Sequence, residues 1–318
     1  MATTRETLSK IQSVKNTKKI TIAMELVASS KQRKAVLAVL KTRSYANLSW
    51  LTVKNVVKMA RYDKKMHELL HDIKQIKKVG VILISSNRGL CGGFNSLVIK
   101  KAYDFIKEEY NNSDASFILI GKKGRAIESR FNQKIDKYFE VPDYSFHLSH
   151  VSLVAKYVIE KYLNGEYDAI LLVYTDYISG VKQTPRVKHL LPLHLNQFDT
   201  HLGVVDFGED IETKEKEVQG IINLKQDKYF AHTHYELEPT PYEVLDKMIP
   251  KLIEIQIFQA LLESSASLHN QRMIAMHKAT EAAEEKINDL TLTYNKARQA
   301  SITTTTLEIV AGAESLNK

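Results

Sequence analysis

One cysteine, Cys91, stands in 318 residues. That excludes an internal disulfide framework and fits a reducing compartment. The helix breakers are confined to the middle. All six prolines fall between Pro142 and Pro250, no glycine precedes Gly80, and none lies between Pro250 and Gly312. Both ends are therefore clear of the residues that interrupt a backbone hydrogen-bond ladder. No apolar run approaches the roughly 18 residues that span a bilayer, and the basic start lacks the apolar stretch of a signal peptide. A soluble, intracellular chain is expected, meeting a membrane only through partners.

Beyond its first 43 residues the chain also has little net charge. The total of +8 comes from 45 basic and 37 acidic residues, and ten basic residues against Glu6 and Glu25 place nearly all of it in that first stretch. A basic helix of this kind needs an acidic counterpart: nucleic acid, anionic lipid or an acidic protein surface.

The C-terminal stretch carries the strongest pattern. From Met248, steps of four and three meet Leu252, Ile255, Gln259, Leu262, Ala266 and onward through Met276, Thr280, Ala283, Ile287, Leu290, Tyr294 and Ala297 to Ser301. This is a heptad seam, whose period just under 3.6 implies a left-handed supercoil. Small and polar residues interleave in it (Gln259, His269, Thr280, Ala297), so a slender two-helix shaft is expected rather than a leucine zipper. At 1.5 Å per residue it would extend for about 100 Å. Residues 1–60 read as a second long helix, with Leu8, Ile11, Val14, Ile20, Met24, Val27 and Ala28 as its apolar side. The simplest arrangement is an antiparallel coiled coil of the two ends, closed by a domain between them.

The middle alternates. Continuous apolar, β-branched runs at 79–85, 117–120 and 169–174 read as buried strands, and helical stretches at about 96–110, 123–131 and 149–163 separate them. The order predicts a Rossmann-like α/β domain with a mainly parallel sheet. Residues 186–195 are a further candidate strand. The divisions expected are a first shaft helix at 1–60, a linker helix at 61–78, an α/β domain at 79–241 with a charged excursion at 203–228, and a second shaft helix at 242–318.

Candidate chemistry is sparse. His67-Glu68-Leu69-Leu70-His71 has the zinc-protease spacing, but residues 73–103 supply no Asp, Glu or His as a third ligand. Gly89-Leu90-Cys91-Gly92-Gly93 resembles a nucleophile elbow with cysteine for serine, yet three residues separate it from the strand end and no His-acid pair stands out. His232 and His234 offer only a weak metal site, and no cofactor is expected. Basic residues on the first helix could meet DNA phosphates, though no base-reading motif accompanies them. A Cys91-dependent enzyme and a basic DNA-binding coiled coil therefore stay open as alternatives.

Five segments resemble one family. They are KIQSVKNTKKITIAMELVASSKQRK at 10–34, SSNRGLCGGFN at 85–95, RMIAMHKAT at 272–280, LTYNKARQASIT at 292–303 and EIVAGA at 308–313. Their order and sequence are similar to the gamma subunit of F-type ATP synthase across the whole chain. The resemblance implies a non-catalytic central rotor that turns inside a ring of alpha and beta subunits. Its foot would meet the epsilon subunit and the membrane ring of c subunits, peripheral to the cell membrane on the cytoplasmic side. It implies no nucleic-acid partner. By resemblance Arg298, Gln299 and Thr303 would touch the catch loop of beta, Met24 would face the acidic lever of beta, and Tyr235 and Glu236 would lie toward the c ring. Two residues depart: Asn87 stands where the family usually has Asp, and Thr305 where it usually has an acid.

Overall fold

The computed structural model describes residues 4–60, 68–70, 76–144, 146–193 and 237–316. In chain order the elements are α1 (Thr4–Ala60), β1 (Lys78–Ile84), α2 (Phe94–Glu109), β2 (Asp114–Ile120), α3 (Ala126–Phe131), β3 (Lys134–Phe139), α4 (Leu148–Leu163), β4 (Ala169–Tyr177), β5 (Gln183–Leu191) and α5 (Pro241–Leu316). Two 3-10 turns, Glu68–Leu70 and Lys122–Arg125, complete the list. Contacts divide the chain into two units, residues 1–30 with 272–318, and residues 31–271.

In the larger unit five strands form one sheet in the order β3-β2-β1-β4-β5. The first four run parallel, and β5 returns antiparallel along β4. β1 is central because both of its faces are apolar. Val79, Val81 and Leu83 pack into one cluster with Val98, Ile99 and Ala102 of α2. Ile82 and Ile84 face the other cluster, which holds Val151 and Val154 of α4, Val53 and Val56 of α1, and Ile253 and Ile257 of α5. Runs buried on both sides are what a parallel sheet covered by helices requires.

Two strands differ from the sequence reading. β3 was not expected, because Lys134, Asp136 and Lys137 break the apolar pattern; it is an edge strand with half-exposed faces, where charge is tolerated and discourages pairing with other chains. β5 spans Gln183–Leu191 rather than 186–195. It holds Pro185, which an edge strand accommodates because one row of its N–H groups has no ladder partner.

Asp136 anchors the β3 edge. Tyr157 and Tyr167 each donate a hydroxyl hydrogen bond of 2.7 Å to its Oδ2. Burial pushes this carboxyl up, but the two tyrosines, with Lys161 and Lys134, outweigh burial and hold it below the usual range. A depressed folded value adds stability above the ordinary carboxylate pKa, and this is lost as pH falls through the folded one. Asp136→Asn is expected to cost about 1 kcal/mol at pH 7, a modest figure because the site is partly solvent-screened, and to flatten the acid limb of a denaturation-midpoint profile below about pH 4.

In the smaller unit the start of α1 lies antiparallel to the end of α5. Lys18 pairs with Glu284 at 3.1 Å, the Thr21 and Thr280 hydroxyls share a 2.8 Å hydrogen bond, and Glu25 lies 3.1 Å from His277. Contacts that climb one helix as they descend the other define the direction. From 276 to 297 the shielded positions are the expected seam, Met276, Thr280, Ala283, Ile287, Leu290, Tyr294 and Ala297, with only Ala279 added. The seam stops there, and Ser301 is exposed.

α1 corrects the reading of its apolar side. Within residues 4–30 its shielded positions are Thr7, Ile11, Val14, Lys18, Thr21, Met24, Glu25, Ala28 and Ser29, whereas Leu8, Ile20 and Val27 are more than half exposed. A narrow seam between close backbones takes small residues and threonine beside Ile11, Val14 and Met24, while Leu8, Ile20 and Val27 point away from it.

Candidate functional site

In an open α/β sheet the binding crevice lies at the carboxyl ends of the strands where the strand order reverses, here between β1 and β4. The loop 85–95 leaves β1 at that point and closes upon itself. The Ser86 amide donates to Asn95 Oδ1 at 3.0 Å, the Ser86 hydroxyl donates to the Arg88 carbonyl at 2.7 Å, and Asn95 Nδ2 donates to Cys91 Sγ at 3.2 Å. Asn87 ties the loop outward. Its amide donates to Asp143 Oδ1 at 2.7 Å, its Nδ2 donates to the Val141 carbonyl at 2.7 Å, and its Oδ1 accepts from the Lys122 amide at 3.1 Å. An aspartate could not supply the Nδ2 donor, so the departure at this position creates a bond to Val141.

The crevice is filled rather than open. Cys91 is 2% exposed and packs with Phe94 and Leu268 of α5. The space left beside Ser85, Phe94, Asp143 and Leu261 is a cavity of about 20 Å³, room for one water molecule and no substrate. The nucleophile reading of Cys91 fails on access, because α5 lies where a substrate would enter. Among the described residues no group of three His, Cys, Asp or Glu could hold a metal ion. His67 and His71 lie outside the described residues, as do His232 and His234. Between the first pair Glu68–Leu70 forms a 3-10 turn, and Leu69 and Leu70 are buried in the main core.

The other candidate surface is the end of α5. Arg298, Gln299 and Thr303 are exposed, as is every side chain at 298–313, including Ile302, Leu307, Ile309 and Val310 at 51–67%. The four threonines 303–306 each donate a hydroxyl to the carbonyl four residues back, at 2.8–3.0 Å. That local bond explains how a β-branched tract stays helical, and it commits the Thr303 hydroxyl hydrogen to Gln299. Met24 is half-buried on α1. Tyr235 and Glu236 lie outside the described residues.

Sequence reasoning missed a set of buried polar groups on the larger unit. Arg43 of α1 and Glu263 of α5 lie 3.7 Å apart at 8% and 2% exposure. Gln259 donates to Glu263 at 2.8 Å and accepts from Thr42 at 2.8 Å. Asp176 of β4, 1% exposed, pairs with Arg186 of β5 at 3.1 Å. Burial pushes the Glu263 carboxyl up, the Asp176 charge adds to that, and Arg43 opposes it. The available signal was a single acid within LLESSASLHN, a stretch otherwise free of charge and of helix breakers.

Comparison with known proteins then places the chain. A profile of the ATP synthase family matches residues 3–316. The ATP synthase gamma chain of Herpetosiphon aurantiacus is 37% identical over the full length of both chains, and that of Alkaliphilus metalliredigens 38% identical over 96% of each. This chain belongs to the ATP synthase gamma chain family. Among solved structures, a chain of the Euglena gracilis mitochondrial ATP synthase matches with a TM-score of 0.63 at 16% identity, covering 98% of this chain and 94% of its own. A chain of the Tetrahymena thermophila mitochondrial enzyme, from its central stalk and c-ring, matches at 0.55 and 21% identity, covering 82% of this chain and 99% of its own. At these identities the likeness carries the fold: two long terminal helices around a central sheet. Membership across the whole length leaves the DNA-binding alternative without support.

Proposed function

We propose that this chain is the central-stalk rotor of an F-type ATP synthase, carrying torque between a membrane ring of c subunits and a catalytic ring of alpha and beta subunits. Proton or sodium flow turns the foot, and the shaft drives the beta subunits through their states in turn. ATP is made or hydrolysed on those subunits, and this chain contributes no catalytic residue. The observation that carries the reading is a single-helix end, 298–313, exposed on all sides and bearing large apolar residues. An apolar surface of that kind calls for a sleeve around it.

The remaining surfaces suit named neighbours. The basic first stretch of α1 meets the acidic lever of beta near Met24, and Arg298, Gln299 and Thr303 meet its catch loop. The foot, with Tyr235 and Glu236, faces the c ring and the epsilon subunit. Among the described residues no helix is long and apolar enough to cross a membrane. The chain is therefore held at the cell membrane, on its cytoplasmic side, by those partners.

The test is reconstitution. Alpha and beta subunits should hydrolyse ATP with coupled ion uptake into vesicles holding the membrane sector only when this chain is added, and the chain alone should hydrolyse none. Failure to assemble with alpha and beta rejects the reading. Replacing Arg298, Gln299 and Thr303 together by alanine is expected to slow coupled uptake about fivefold, the equivalent of one lost hydrogen bond near 1 kcal/mol. Cys91→Ser should leave hydrolysis and uptake within about twofold of the parent, since the site needs only a small group accepting from Asn95.

A further inference from the structure

Between 254 and 271, α5 passes through the larger unit with nearly every side chain buried. Apolar packing holds such a helix by the interdigitated shape of its side chains, with no preferred bond direction. Hydrogen bonds do have direction, and they fix an angle. This stretch carries them to α1, α4, β4, β5 and the loops at Asp143 and Gly180. Ser152 of α4 donates to Glu254 at 2.5 Å, and Thr42 of α1 donates to Gln259 at 2.8 Å. The Ser265 hydroxyl donates to the Asp143 carbonyl at 2.8 Å, and that of Ser267 reaches the Thr175 carbonyl of β4 at 3.4 Å. Asn270 donates to the Gly180 carbonyl at 2.7 Å, and Gln271 donates to Gln183 of β5 at 2.6 Å.

The contacts are opposed. At 3.6 residues per turn, Ser265 and Ser267 leave the helix roughly 160° apart, so the β3–α4 connection at Asp143 holds one side while β4 holds the other. A hold on two sides resists turning in both senses. Serine, asparagine and glutamine are also costly choices for positions this buried unless each is satisfied. Leucine or alanine would pack there without that requirement.

We infer that this ring of directional contacts is a rotational lock, the means by which the sheet turns α5 rather than sliding around it. Its members are positioning residues, and the inference rests on the rotor reading. A merely stabilising role predicts a lower melting temperature with unchanged coupling. The lock predicts slippage.

The experiment uses the assembled complex in sealed vesicles and measures ions taken up per ATP hydrolysed. The variant combines Ser265→Ala, Ser267→Ala, Asn270→Leu and Gln271→Leu, which keeps the volume apolar and the charged pair intact. The expected result is undiminished hydrolysis with the ratio lowered at least about twofold, a modest return for four lost hydrogen bonds. Adding Gln183→Cys and using Gln271→Cys in place of Gln271→Leu, the two joined by a short bis-maleimide, should restore it. An unchanged ratio in the assembled variant overturns the inference. If the fourfold variant does not assemble, Ser265→Ala with Asn270→Ala carries the same expectation, and an unchanged ratio there is equally fatal. Failure of the parent chain to restore uptake would instead sink the rotor reading.

Discussion

Gly121→Ala is expected to cost at least about 3 kcal/mol, read as a large fall in denaturation midpoint or as failure to accumulate folded protein. Gly121 ends β2 with φ +98°, outside the range that side chains adopt readily, and an added Cβ would lie 2.1 Å from the Ser85 carbonyl oxygen. That oxygen is backbone at the end of β1 and cannot step aside cheaply. The Ser85 amide donates to the Ile120 carbonyl at 2.8 Å, and the Ser85 hydroxyl lies within bonding distance of the Ile120 and Gly121 carbonyls. Relieving the clash would part β1 from β2 at the centre of the sheet. Gly165→Ala is the control. Its φ of +70° is also left-handed, but nothing lies within 4 Å of the new Cβ, so about 1 kcal/mol is expected. Equal losses at the two positions would show that backbone angle, not the close approach of strands, governs Gly121.

Arg43→Met should cost about 3–5 kcal/mol at neutral pH, because it leaves the Glu263 carboxylate buried without its opposite charge. Adding Glu263→Met should recover most of that loss, since two apolar side chains of similar volume need no partner. The pH dependence follows from the direction of the Glu263 shift. Burial, with Asp176 nearby, already raises this carboxyl, and removing Arg43 takes away an opposing influence. A raised folded value gives stability that is complete below the ordinary carboxylate pKa and is lost as pH climbs through the folded one. The deficit of the single variant should therefore be smallest below the ordinary carboxylate range and widen as pH rises above it, while the double variant shows no such widening. A loss independent of pH would argue that packing, not charge, is what Arg43 provides.

The legible parts of this fold were the periodic ones. The four-and-three series on α5 names the shielded positions from 276 to 297 because a seam against one partner helix leaves no other face protected. The buried strands β1, β2 and β4 declared themselves by apolar runs that water could not tolerate on either side. The misreadings share a cause. On α1 large apolar residues do not by themselves mark the inward face, because Leu8, Ile20 and Val27 are exposed while Thr7 and Thr21 join Ile11 and Val14 in the seam. β3 escaped because an edge strand obeys half of the burial rule. The candidate tip residues came from resemblance alone, since exposure and helical spacing do not single out Arg298 or Gln299 among their neighbours. The Arg43–Glu263 pair was invisible because its partners are 220 residues apart and only the fold joins them.

The helix that fills the crevice of the sheet is made after the sheet it covers. The apolar face built by Ile82, Ile84, Ile170 and Leu172 is complete once β5 has formed, but its covering residues Ile249, Ile253 and Ile257 belong to α5. More than fifty residues separate the end of β5 from Ile249. At about 5–20 residues per second, a nascent chain carries that face covered only by α1 and α4 for about 3–12 seconds. Biosynthesis thus opens a window in which part of the domain's apolar face is exposed to misassociation, and it closes only when translation reaches the helix that will later turn.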